Sequence, residues 1–219
     1  MSLASQTQTI DDLTGQAAQA LADHRYFQAE SLANKALTLA RDDDDYQRMT
    51  VVVPTLALAR SGRLALAIDV GTITIIDEPF DDDVKIKPGC YLVQPPLVGA
   101  HARRLRLTAV RQEIPAVVLC REPVIRLGLV PLVALGSGAT IRTKVRPPED
   151  LDHPDIEWFA DSLEALGEAA GELDPAMTIK KRVDTLLTRL DAIPEHAGLH
   201  RFLEDSCREA AESLDDSAS

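Results

Sequence analysis

The residue types best suited to chemistry in this chain gather in two short stretches, Gln94, Gly99 and His101 in the first and Cys120, Arg121 and Glu122 in the second. Together they would make an anion site. A helix starting at Gly99 offers unpaired backbone amides, and Arg121 adds a fork of donors. His101 would serve as an acid or base, and Cys120 as a nucleophile if its thiol pKa were lowered. The ligand class is a phosphate, a nucleotide or a carboxylate. The loop at residues 94–99 lacks the glycine spacing of a dinucleotide site or a P-loop, so whether the set makes an enzyme stays open. Cys120 also ends an apolar run, where a thiol is ordinary core, and Arg121-Glu122 reads equally well as a local ion pair. No Ser-His-Asp arrangement and no G-x-S-x-G elbow is present. His196 and His200 have chelating spacing with Glu204 one turn on, but HExxH and a fourth ligand are missing. They are expected to form a solvent-facing stripe, and no metal or cofactor is expected.

What would position the first set is a β-α-β unit. Cys90 to Val93 form a short apolar run closed by Pro95-Pro96, which cannot donate to a sheet ladder. From Gly99 the period becomes helical, with Val98, Ala102, Leu105 and Ala109 on one face and Arg104, Thr108 and Arg111 on another. Pro115 stops the helix, and Ala116 to Cys120 is continuously apolar, the pattern of a strand covered on both faces. Such a unit wants parallel pairing, and ligands of parallel sheets sit at the carboxyl ends of the strands. Residues 130–135 and 139–145 then flank Gly136-Ser137-Gly138, whose glycines would supply the positive φ angles of a hairpin turn. Thr140, Arg142 and Lys144 alternate with Ile141, Thr143 and Val145, so the last strand has one wet face.

Charge is segregated along the chain. Residues 84–148 carry eleven Lys and Arg against two acids, a net of +9 that leaves −21 for the rest. The preferred account is mutual neutralisation, with an anion site in the basic centre as the sharper one. Nucleic acid is not expected as a partner, because the whole chain is at −12 and the basic region has a single aromatic, Tyr91, for stacking. Aromatics are only 4% of the chain, so the core must be aliphatic. Three scattered cysteines suggest reduced thiols in a cytoplasmic protein. No signal peptide is visible, and apolar stretches such as residues 127–136 are about half the ~20 residues a membrane helix needs, so no membrane association is expected.

Residues 1–9 are polar and read as a frayed end, with Asp11-Asp12 at the first helix start. Leu13, Ala17, Ala20 and Leu21 share a face; after a turn at His24-Arg25, Ala29, Leu32, Ala33, Ala36, Leu37 and Ala40 share another. Two helices joined so tightly pack antiparallel. Tyr26, Ala29, Ala36 and Leu37, with Ala17 before them, have a spacing that resembles one tetratricopeptide repeat across residues 11–41. His24 stands where that family prefers Gly and Arg41 where it prefers Pro, and no clean second copy follows. The resemblance implies a helical groove for peptides or partner proteins; a plain helical hairpin packed on the next domain is the alternative.

Asp42 to Asp45 make an acidic connector without the spacing of a calcium loop. A third helix is expected over residues 46–60, although Val51 to Val53 and Pro54 argue against it unless Pro54 lies in the first turn. Ala67-Ile68-Asp69-Val70-Gly71-Thr72 resembles the first phosphate loop of the sugar kinase, actin and heat-shock chaperone superfamily, which implies Asp69 near a metal-bound nucleotide and Gly71-Thr72 against phosphate. Too little chain follows for that superfamily's two halves, and a strand or helix end with Gly71 as terminator is the preferred reading. Beyond Pro147-Pro148 come a helix with the only Trp, Trp158, a helix started by Asp174-Pro175 with Val183, Leu186, Leu187 and Leu190 buried, and a last helix with Leu199, Phe202, Leu203 and Ala210 inward. Residues 213–219 read as a soft tail.

The expectation is therefore an α/β (or α+β) protein, a small mixed sheet with a β-α-β unit and a hairpin, flanked by helical segments. The parts are a helical segment at 1–63, a basic α/β domain at 64–148 and an acidic helical segment at 149–219. The function expected first is protein interaction or scaffolding through the N-terminal helices. The alternative is a small-anion binding protein or enzyme with its site at Gln94, Gly99, His101, Arg121 and Glu122.

Overall fold

The computed structural model describes residues 3–81, 83–123 and 128–218; residue 127, where the longest expected apolar stretch begins, and the two ends of the chain lie outside them. Helices and a small mixed sheet build it in the order α1 (Leu3–Ala22), α2 (Tyr26–Asp42), α3 (Tyr46–Ile68), β1 (Ile73–Ile76), β2 (Gly89–Val93), α4 (Gly99–Arg111), β3 (Ala116–Cys120), β4 (Val130–Leu135), β5 (Thr140–Val145), α5 (Ile156–Gly171), α6 (Ile179–Ala192) and α7 (Ala197–Ala218). This is an α/β chain with three parallel and two antiparallel strands. It forms two compact units, one of residues 1–62, 173–187 and 197–219, the other of residues 63–172 and 188–196.

The first unit is helical. Ala20 of α1, Ala29 of α2 and Ala59 of α3 pack together, and Ala17, Ala33 and Ala36 are fully buried as well. Small side chains let the helix axes approach closely. The turn between α1 and α2 closes with His24 at φ 57° and the Arg25 amide donating to the Ala20 carbonyl at 2.8 Å. Helix α1 starts well before Asp11, so the expected frayed end is helical from Leu3, and Asp11 instead pairs with Arg48 at 2.8 Å. The acidic connector is not simply solvated: Asp44 accepts from Arg41, and from Lys180 at 2.6 Å. Pro54 lies inside the 23-residue helix α3, in its third turn, not its first. The apolar face of α3 is buried through Met49, Val52, Val53 and Leu56, and this burial outweighs the backbone bond that Pro54 cannot make. By length and composition α3 also passes for a membrane-crossing helix, unlike the stretch at 127–136, and 39% of its apolar window is buried within the protein. Phe202 of α7 is 48% exposed where an inward position was expected, while Leu199 and Leu203 are buried. The soft tail is a continuation of α7 to Ala218. Thr178 caps α6, accepting from the Lys181 amide, and Asp174 serves only the turn before it.

The second unit holds the sheets. Strands β1, β2 and β3 run parallel in that order, with Ile73 opposite Cys90 and Cys90 opposite Val117. Every residue of β2 is buried, as its central place requires. Helix α4 covers one face through Ala102, Leu105 and Ala109, which pack with Tyr91, Val93 and Val133. Strands β4 and β5 form the antiparallel hairpin, and a single bridge from Arg121 to Leu132 joins it to β3. The hairpin glycines do not take positive φ; the turn closes by the Gly136 amide on the Ala139 carbonyl at 2.9 Å. Gly136 is instead needed for space, since a Cβ there would lie 2.9 Å from the Ala192 amide nitrogen. Before β1, Gly71 at φ 72° ends α3 by donating to the Ile68 carbonyl at 2.8 Å. Asp69 therefore sits at a helix end and not on the strand hairpin of a phosphate loop, which sets aside the nucleotide resemblance.

Candidate functional site

The carboxyl ends of the parallel strands bring Asp77, Gln94 and Arg121 to one edge. The Gln94 side-chain amide donates to Asp77 at 3.3 Å, and its Oε1 is buried without a hydrogen-bond partner. Arg121 spends one guanidinium nitrogen on the Leu151 carbonyl at 2.7 Å, and Glu122 pairs with Arg142 at 3.3 Å. At the start of α4, the Val98 amide donates to His101 Nδ1 at 3.1 Å, so the ring proton belongs on Nε2. A Cβ on Gly99 would lie 3.0 Å from Leu135 Cδ1 and 3.2 Å from Val133 Cγ1, so aliphatic side chains of β4 cover that helix start. The five expected site residues thus have internal roles: a strand-end amide, a close packing point, a helix cap, a carbonyl clamp and an ion pair. Cys120 lacks the lowered thiol pKa that the nucleophile role calls for, because burial and the nearby Glu122 charge push its thiol up to about 12. Cys90 is pushed to about 11 and Cys207 to about 12, chiefly by burial.

The basic centre is occupied in the same way. Arg106 donates to the Asp191 carbonyl at 2.6 Å, at the end of α6, and Arg103 lies 3.9 Å from the Asp191 carboxylate. Arg104 donates to the Phe80 carbonyl and stacks 4.5 Å over its ring. The His196–His200 stripe is buried, not solvent-facing. His196 precedes α7 and reaches Glu164 at 3.1 Å, its ring filling the space over Gly167, where a Cβ would come within 2.0 Å. His200 lies 3.3 Å from Arg60, which also bonds Glu30 at 2.9 Å in a buried cluster. Among the described residues no group of His, Cys, Asp and Glu could hold a metal ion.

Each unit has a concavity that bears on function. In the second unit, residues 77–81 and 83–88 lie between the end of β1 and the start of β2 and form a strap. Tyr91 pins it, its hydroxyl donating to the Lys87 carbonyl at 2.8 Å and accepting from the Lys87 amide at 3.0 Å. Gln112 bonds the backbone of Val84 and Ile86. Under the strap is a cavity of about 600 Å³ with Thr74, Asp77, Phe80, Lys85, Lys87 and Tyr91 in its walls. Sequence reasoning missed Asp77 and this cavity; the β-branched run Ile73-Thr74-Ile75-Ile76 was the available signal for a strand that would create them. In the first unit an open cleft of about 450 Å³ lies on α1 and α2, lined by Leu13, Asn34, Lys35, Thr38 and Leu39. No protein-family model matches the chain, and none of the curated proteins or solved structures compared with it is a match.

Proposed function

We propose that the protein works by binding, as an interaction or scaffolding protein that docks a partner protein on the outer side of the α1–α2 hairpin. The supporting observation is the open cleft at Leu13, Thr38 and Leu39, whose lining is apolar apart from Asn34, Lys35 and the Thr38 hydroxyl. An amphipathic helix suits it, with leucine-like anchors on the apolar floor and a carboxylate beside Lys35. The tetratricopeptide-like spacing of Tyr26, Ala29, Ala36 and Leu37 supports the same reading. Unpaired, buried thiols fit a reducing compartment, hence a cytoplasmic protein. The test is a photo-crosslinking residue placed at Thr38, with exposed Gln47 as the control position. One partner should be captured from position 38 alone, and Leu39→Asp should abolish the capture. Equal labelling from both positions, or capture that survives Leu39→Asp, overturns the proposal.

A second reading, a small-ligand binding protein or enzyme, draws on the unpartnered Gln94 Oε1 and on the strap cavity. Phosphates, nucleotides or carboxylates that raise the melting temperature, with the rise lost in Arg121→Ala, would favour it over the docking reading.

A further inference from the structure

The two parallel crossovers of the second unit lay different things on the sheet. Between β2 and β3 the chain forms helix α4, whereas the strap between β1 and β2 has no helix among its described residues. Both lie on one face: the register sets Thr74 level with Tyr91, and Thr74, Tyr91 and Leu105 of α4 line one cavity with the strap. Without a helix's bulk, this part of the face keeps a hollow of about 600 Å³, room for a drug-sized ligand. Its wall is apolar at Ile76, Phe80, Val84 and Leu105, and the exposed Asp77, Glu78, Lys85 and Lys87 surround it. The two signs stand apart. Asp77 is held by the Gln94 side chain, just past the end of β2, whereas Lys87 is two residues from Gly89 at its start and so within about 7 Å of it. Gly89 and Gln94 are separated by about 17 Å of extended chain, which leaves about 10 Å between Lys87 and the Asp77 end. Among the described residues neither lysine pairs with Asp77 or Glu78, although all four line the same cavity.

We propose that the strap cavity binds a short apolar peptide with both termini free, its carboxylate at Lys85 and Lys87 and its ammonium at Asp77 and Glu78. This rests on the small-ligand reading above and names the ligand class. A ligand that satisfies both signs needs a carboxylate and an ammonium about 10 Å apart with an apolar body between them. A single α-amino acid is too short, whereas an extended tripeptide spans about 10 Å. The Thr72 and Thr74 hydroxyls, also in the lining, can each give and take a hydrogen bond, which suits the peptide units in between. A phosphate or a simple carboxylate would answer the lysines but set its own charge near two acids, and a plain amine would do the reverse.

Titration calorimetry of the full chain with the tripeptide Leu-Ala-Leu tests this, using the free peptide, its C-terminal amide and its N-acetyl form. The free peptide should bind with a Kd below about 1 mM, and each cap should weaken it at least about threefold, the worth of an exposed ion pair. Lys85→Met combined with Lys87→Met should abolish the preference for a free carboxylate and keep the preference for a free ammonium. Asp77→Asn combined with Glu78→Gln should do the opposite. Circular dichroism confirms each fold, and if a variant fails to fold the capped peptides on the wild type decide alone. Absence of peptide binding, capped peptides as tight as the free one, or folded variants that keep both preferences each overturn the proposal. Phosphates, nucleotides or simple carboxylates that raise the melting temperature through Arg121, with no tripeptide bound, overturn this inference and leave the small-ligand reading standing. If neither they nor the tripeptide bind, both fall.

Discussion

Asp191 gathers groups that lie far apart in sequence. Its carboxylate accepts from the Ser137 amide in the hairpin turn and faces Arg103, while its carbonyl takes the Arg106 guanidinium. Burial pushes its carboxyl pKa up, but the Ser137 amide and the charges of Arg106 and Arg103 prevail and hold it below the ordinary 3.8. A native pKa below the unfolded one means stability that is fully present above the unfolded value and lost as pH falls through it toward the native value. Wild-type stability should therefore decline below about pH 4, and Asp191→Asn should be less stable at neutral pH with a shallower acid decline. Urea unfolding at a series of pH values checks this. An Asn variant with the wild-type acid slope would assign the loss to other carboxylates. At this scale composition said where the arginines are but not what they bond. A guanidinium that caps a carbonyl from a distant helix leaves no periodic mark in the chain, so the basic centre looked open although Arg104, Arg106, Arg121 and Arg142 have acceptors within the protein.

The readable elements were those whose period had no competing signal. Strand β2 and strand β3 follow from continuous apolar runs, helix α4 from helical spacing and a proline stop, and the hairpin from alternation, and β2, α4, β3 and β4 all contribute to a shared core. Helix α3 was harder to read, since three valines and Pro54 speak locally against a helix while Met49, Val52, Val53 and Leu56 commit its inner face to burial. Packing overrides propensity when the buried stripe is this continuous. Strand β1 has the opposite difficulty: four residues at an edge are too few for a period to show. Pro54 yields a prediction about α3 as an element. It is half-buried, and an alanine there would restore the amide bond to the Thr50 carbonyl. Pro54→Ala should raise stability by about 1–3 kcal/mol in urea titrations, with the m-value unchanged. A loss of stability would mean instead that neighbouring side chains are fitted to the proline ring or to the bend it imposes.

Across the whole chain, linear order and spatial order part company. Residues 173–187 and 197–219 belong with the first 62 residues, whereas α5 and residues 188–196 belong with the sheets. A charge count along the chain cannot see this, because the acidic C-terminal stretch is divided between the units and pairing at such separation depends on which buried faces meet. In the helical unit the two ends of the chain are joined by Arg41 to Asp184, by Lys180 to Asp44, and by Arg60, itself bonded to Glu30, to His200. The last is the costly one to lose. Glu30 and Arg60 are both buried, and stripping away α7 would leave their charges without His200. A chain ending after His196 should therefore lose hydrogen-exchange protection throughout α1, α2 and the first turns of α3. The amides of β2 and β3, whose ladders lie wholly within the other unit, should keep most of theirs. Uniform loss across both units would mean that the protein unfolds as one cooperative body. Protection retained in α1 and α2 would mean that the N-terminal hairpin stands without the C-terminal helix. Only selective loss agrees with two units of which the first is built from both ends of the chain, and it would make partner docking on α1 and α2 depend on α7 although α7 supplies no residue to the cleft.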